Sequence, residues 1–368
     1  MALRLKRDVI NTTYTTESPI LGQIILEPRA PLDISQITIT LSGTSISRKS
    51  GSRQSQCHQF LRKQQQILPQ YGQFGFSKSS SNSNSLTMGA KAYVFPFSIS
   101  FPDGSEGYQA YQEDALQGKT PKASDLKQFQ KSTFFSSQLP PSMGNHASNV
   151  EIIYSIEASV TVDGIFKNVI RKSQPIKFCP VASLAQSHSQ PLVRLQEVIL
   201  QGRCKDEVKG STSTTAAYQV SVELHRGEEI TLGQPLPLTV NITKVNSTND
   251  DIMLNDYQAM LIEETVNRVG VKPQAQRVFR ILRTVSNLNI ATGLADKPPG
   301  MMTALTSDSW GEHFLPDTIT PTFEMYNITH SHRLEVRLGF KGGSKKAQTR
   351  IVEVQFPVKV VAIASSDS

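Results

Sequence analysis

The sequence predicts an all-β protein made of two β-sandwich domains. Three observations lead there. Apolar residues recur with period two along the chain, helical periodicity is scarce, and 368 residues exceed what one ordinary sandwich uses. Strict alternation buries one face of a strand and wets the other, the pattern of antiparallel sheets packed on a single face.

The strands can be taken in order. Ile37, Ile39 and Leu41 share one face, as do Tyr93, Phe95, Phe97, Ile99 and Phe101. The longest run is Val150, Ile152, Tyr154, Ile156, Ala158, Val160 and Val162; the residues between are mostly polar, with Ile153 the exception. The second half repeats the pattern at Tyr218, Val220, Val222 and Leu224, and at Leu236, Leu238, Val240 and Ile242. Leu334, Val336 and Leu338 alternate with Arg333, Glu335 and Arg337, and Val352, Val354, Phe356, Val358 and Val360 form the last strand. A helical turn over 123–129, capped by Ser124 or Asp125, is expected inside a polar connection spanning 103–138. Residues 45–90 are rich in Ser, Gln, Arg and Lys and read as a long loop too polar to bury a core. Residues 283–309, with Pro298, Pro299 and Gly300, also read as a loop. Strand character ends at Phe178 and resumes at Val198, so the expected domains are 1–180 and 181–368, joined by a short linker within 180–191.

Composition narrows the class. Hydrophobic residues at 38% and charged residues at 19% fit a globular chain. The net charge of +7 is dispersed and not interleaved with regularly spaced aromatics, so a mildly basic surface is expected and nucleic acid is not. Cys57, Cys179 and Cys204 are odd in number and widely spaced, with no CxxC pair; this predicts reduced thiols rather than a disulfide framework or zinc knuckle. Met1 to Arg7 lead into no apolar run, so no signal peptide is expected. The glycosylation sequons at Asn11, Asn241, Asn246 and Asn327 therefore read as strand and turn residues. Together these predict a cytoplasmic protein.

Catalytic patterns were sought and not found: no GxSxG, phosphate-binding loop, GxGxxG or HExxH occurs. His330 and His332 would share a strand face and could share a metal, but they have the parity of Leu334 and Val336, which favours a structural role at the inward start of that strand. Glu263 and Glu264, adjacent on a strand, point to opposite faces and cannot cooperate as a carboxylate pair. Trp310 is expected to pack an edge of the second core. The reading is a protein with no enzymatic activity, cofactor or metal.

The strand Pro19 to Leu26, the strand Ile37 to Leu41 ending in Ser42 and Gly43, and the aromatic-Pro-aromatic strand around Phe95, Pro96 and Phe97 resemble segments of the arrestin superfamily, most closely of the fungal α-arrestin adaptors. Leu139, Pro140, Pro141 and Ser142 before the Val150 strand resemble the family's LPPS turn. In the second half, Met260 to Thr265 resembles a strand ending in paired acids, Phe314 to Thr322 a Pro-bounded loop, and Ile351 to Val361 the last strand. The resemblance implies two arrestin-type, immunoglobulin-like β-sandwich domains. It also implies an adaptor linking the cytosolic tails of membrane cargo proteins to a ubiquitin ligase and the endocytic machinery, recruited to the plasma membrane or endosomes. An endosomal sorting-complex subunit of retromer-like type, with no ligase contact, is the alternative.

Leu68, Pro69 and Tyr71 form LPxY, a variant of the PPxY ligand of WW domains. Proline pre-sets an extended backbone, and the WW groove grips the Pro and Tyr rings. Family members often carry PPxY beyond the second domain; no PPxY occurs up to Ser368, so contact with a WW-domain HECT-type ligase is expected to rest on this motif. Arg48, Lys49, Arg53, Arg62 and Lys63 form a basic cluster suited to phosphorylated tails or anionic lipid at a peripheral membrane contact, or to solvating a long loop.

Overall fold

A computed structural model describes residues 1–8, 12–51, 54–68, 86–102, 138–145, 148–163, 168–182, 190–200, 216–247, 251–269, 273–305, 313–342 and 348–363, and every regular element among them is a strand. The chain divides into two compact units. The first comprises Met1–Val181 with Asn267–Gln274 and Phe323–Thr329; the second holds Ala182–Val266, Ala275–Thr322 and His330–Ser368.

The first unit contains β1 (Ala2–Arg7), β2 (Thr13–Tyr14), β3 (Ile20–Glu27), β4 (Leu32–Arg48), β5 (Ser55–Leu68), β6 (Leu86–Met88), β7 (Tyr93–Ile99), β8 (Val150–Asp163) and β9 (Asn168–Phe178). One sheet runs β1-β3-β7 and the other β2-β9-β8-β4-β5, with β6 beside β4. Pairing is antiparallel except for the short parallel β2–β9 contact. The alternating residues of β8 and β4 meet across the ladder, Ile156 opposite Leu41 and Tyr154 opposite Gly43.

Tyr154 centres this unit's core. Its buried ring meets Phe60 and Phe101 edge-on at 5.5 and 5.4 Å and tilts against Phe178 at 5.0 Å. Its hydroxyl donates to the Pro140 carbonyl at 2.6 Å, anchoring the Leu139-Pro140-Pro141 turn to the core. Gly43 is required beside it, because a Cβ there would lie 2.6 Å from the Phe60 ring and 2.9 Å from Tyr154. Phe323, Met325 and Ile328, from far along the chain, complete this core.

Residues 45–90 depart from the loop expectation. Ser45 to Arg48 extend β4, and β5 and β6 lie within the segment. β5 is polar because, among the described residues, it is an edge strand paired with β4 alone; Phe60, Leu61 and Leu68 are its buried residues. A bulge at Phe60 lets consecutive Phe60 and Leu61 both turn inward, which hides the period-two signal. The Ser-rich run at 79–85, the expected helical turn at 123–129, Trp310 and Cys204 lie outside the described residues.

The remaining strands are β10 (Leu192–Leu200), β11 (Ala216–Leu224), β12 (Glu229–Thr231), β13 (Leu238–Lys244), β14 (Ile252–Asn267), β15 (Gln274–Val285), β16 (Ile290–Ala291), β17 (Met302–Leu305), β18 (Phe323–Glu324), β19 (Ile328–Gly342) and β20 (Arg350–Val361); β18 falls in the first unit. The second unit's sheets run β10-β11-β13-β17 and β12-β20-β19-β14-β15. Between them lie Tyr218, Val220, Val222, Leu334, Val336 and Phe356, among others. The loop expectation for 283–309 also needs correction. The segment contains the end of β15, β16 and β17, and Leu294 is buried in the core. Buried Lys244 holds it there, its ammonium donating to the Leu294 and Ala295 carbonyls at 3.0 and 2.5 Å.

Candidate functional site

Of the predicted binding residues, Leu68, Arg48, Lys49, Arg62 and Lys63 lie on or beside the β4–β5 hairpin, in different settings. Leu68 closes β5 opposite Ile37 and is buried; Pro69 and Tyr71, just beyond, lie outside the described residues, as does Arg53. Arg48 ends β4 and is engaged: its guanidinium bonds Glu151 at 2.8 Å and the Ser148 carbonyl at 2.8 Å. Lys49 turns the chain, its amide donating to the Gln54 carbonyl. Arg62 is exposed and Lys63 partly so, on consecutive positions of β5 that face opposite sides. The hairpin therefore aligns Arg62 with Ser42 and Lys63 with Leu41, while Arg48 lies at its far end beside Ser55.

Open sheet edges are the feature that the sequence did not reveal. In the second unit β10 pairs on one side with β11, and β20 pairs with β19 and, over Lys359–Val361 only, with β12. Among the described residues the other edges of β10 and β20 carry no partner strand, and between them lies a cleft of about 360 Å³ lined by Gln196, Glu197, Val198, Ile199, Arg350, Ile351 and Val352. Leu195, Ile199 and Ile351 are exposed at 62%, 56% and 71%. At the other end Arg194 joins the strands, its guanidinium 5.7 Å from the centre of the Phe356 ring and within 3.4 Å of the Gln355 carbonyl. Unpaired main chain flanked by exposed aliphatic side chains is a template for an added strand. A second edge, β15, exposes Phe279 and Ile281, with Arg277 and Arg280 tied to Glu264 and Glu263 on neighbouring β14.

A polar cluster lies inside the second unit. His330 and His332 start β19 with their rings perpendicular and 4.7 Å apart, both buried. Thr265 Oγ1 lies 2.8 Å from His330 Nδ1, and Thr322 Oγ1 lies 2.8 Å from His332 Nδ1. Glu263 on β14 approaches the same place. Arg280 donates to its Oε1 at 2.9 Å, and its Oε2 lies 4.0 Å from His330 Nε2. Burial pushes His330 down to about 4, against the opposing pull of Glu263 and the Thr320 backbone. Burial also pushes His332 down to about 3, reinforced by His330 and Arg280. Both rings are neutral at pH 7. The parity of the two histidines was legible in the sequence. Glu263 and Glu264 do face apart, but no sequence signal joined Glu263 to the histidines, because the β14–β19 pairing brings them together.

Residues 4–107 match the family described as Arrestin (or S-antigen), N-terminal domain. The match takes in most of the β1-β3-β7 sheet and the β4–β5 hairpin, and it supports an arrestin-like reading of an all-β chain folded in two units. A comparison with curated proteins finds no match. No helix of the described residues is long and apolar enough to cross a membrane.

Proposed function

We propose that this protein is an arrestin-like adaptor that binds the cytosolic tails of membrane cargo proteins and brings a WW-domain ubiquitin ligase of the HECT type to them. The observation that carries the cargo half is the β10–β20 cleft, where two unpaired edges and the exposed Ile199 and Ile351 suit an extended peptide adding as a strand. The arrestin-type match over 4–107 supports an adaptor over an enzyme. The ligase half rests on the LPxY motif of Leu68, Pro69 and Tyr71; Leu68 itself is buried at the end of β5, so the reading asks Pro69 and Tyr71 to supply the rings for a WW groove. Of the basic cluster Arg48, Lys49, Arg53, Arg62 and Lys63, Arg48 is neutralised by its ion pair with Glu151, so the positive charge for phosphorylated tails or an anionic membrane surface would come from the others, Arg62 and Lys63 on β5 among them. The adaptor acts from the cytoplasm, recruited to the plasma membrane or endosomes.

Two variants separate the two halves. Purified WW domains of a HECT-type ligase should retain wild-type protein and lose Tyr71→Ala. An array of cytosolic tail peptides should bind wild type and Tyr71→Ala alike, and lose affinity at least tenfold with Ile351→Asp, which removes an exposed aliphatic contact and puts in its place a charge that an added strand would cover. Failure of wild type to bind WW domains would remove the ligase contact and favour a sorting-complex subunit. Tail binding unaffected by Ile351→Asp would move the cargo site off the cleft.

A further inference from the structure

We propose that Glu263, His330 and His332 form a zinc site that staples β14 to β19 inside the second unit. A ligand atom from each of the three lies within 4.8 Å of the others, and all three side chains are buried. Two imidazoles and a carboxylate are a donor set that Zn²⁺ takes readily. Two imidazole nitrogens and a single carboxylate disfavour Mg²⁺ and Ca²⁺, which require several oxygen donors.

Two further observations point to a metal. The first is the outer shell. The Thr265 and Thr322 hydroxyls engage the Nδ1 atoms of His330 and His332, which leaves each Nε2 for a metal, and Arg280 holds Glu263 by Oε1, leaving Oε2 4.0 Å from His330 Nε2. Ligating histidines and carboxylates are commonly held in this way. The second is His332 Nε2, which is buried with no hydrogen-bond partner although its residue is only 5% exposed. A buried polar nitrogen without a partner is costly, and a metal ion would satisfy it. Donors around a tetrahedral zinc stand about 3.4 Å apart, given Zn–N and Zn–O bonds of about 2.0–2.2 Å. Side-chain rotations of roughly an ångström would draw the three inward from their present spacing. The three side chains would leave a fourth position for a solvent ligand.

The staple is expected to be structural. It joins neighbouring strands of one sheet and, through the hydrogen bond between His332 Nδ1 and Thr322 Oγ1, tethers Thr322, whose Oγ1 also accepts from the Val360 amide.

The test uses the full chain, stripped of metal with a chelator and then titrated with ZnCl₂ against a chromophoric competitor. Wild type should take up one zinc per chain and, with Co²⁺ instead, develop the intense visible bands of a four-coordinate ion. His332→Asn should abolish both. Glu263→Gln, which keeps the Arg280 side of the pocket filled, should weaken zinc binding by at least about tenfold and still fold, so the test survives if the histidine variant does not. Wild type that takes up no zinc at micromolar concentrations would overturn the proposal. So would uptake that persists unchanged in both variants, which would place the metal on another histidine such as His58 or His225.

Discussion

Replacing Tyr154 with Phe removes a single oxygen from the centre of the first unit's core. That oxygen donates to the Pro140 carbonyl at 2.6 Å from a ring with no exposed surface. Its loss leaves a buried carbonyl without this donor, a cost of about 1–3 kcal/mol. The shape of the ring and its contacts with Phe60, Phe101 and Phe178 remain. Tyr154→Ala removes those contacts as well and opens a cavity, so it should cost about 3–5 kcal/mol. Urea unfolding, with peptide-resolved hydrogen exchange to assign the transition to the first unit, measures both. The alkaline limb supplies an independent readout. Burial holds the phenol well above its ordinary 10. A raised folded pKa means that this stability is complete below about pH 10 and is lost as pH rises beyond it, at up to about 1.4 kcal/mol per pH unit. Tyr154→Phe should therefore lose less stability between pH 10 and 11 than wild type. Equal stability of Tyr154→Phe and wild type at pH 7, or parallel alkaline slopes, would refute the account.

Gly43→Ala drives a methyl group into Phe60 and Tyr154 and should cost about 1–3 kcal/mol by overpacking, read as a lower urea midpoint of the first unit. Lys244→Met leaves the Leu294 and Ala295 carbonyls without their buried donor and should loosen 286–301, seen as faster hydrogen exchange there with the β4–β8 ladder unaffected. Cys57 is exposed, whereas burial pushes the Cys179 thiol up to about 11. At pH 8, alkylation followed by peptide mass spectrometry should therefore label Cys57 well before Cys179.

How much was legible depended on which side of a strand was wet. β8 announced itself because it is central in its sheet and buries alternate residues from Val150 to Val160. β5 stayed hidden because an edge strand with two inward neighbours at a bulge carries neither a long apolar row nor a constant parity. The same limit applied to the site. The shared face of His330 and His332 follows from spacing alone, since both sit on one strand. The cleft between β10 and β20, and the approach of Glu263 to the histidines, depend on which strands become neighbours, and parity says nothing about that. Tyr71, the residue most informative in the sequence, lies outside the described residues, so its role rests on the motif.

Phe323, Met325 and Ile328 in the core of the first unit bear on how the molecule is made. Asn327, among them, accepts a hydrogen bond from Ser45 and donates one to Ser47 on β4. A ribosome adding about 5–20 residues each second will have finished β1 to β9 many seconds before it supplies these side chains. Until then the nascent first unit keeps an unfilled apolar face and two buried serines lacking Asn327. Its folding must wait for the second half, or be protected by a chaperone in the interval. A fragment cut at Val181 would be left permanently in that unfinished state, and should be expected to aggregate where the full chain does not.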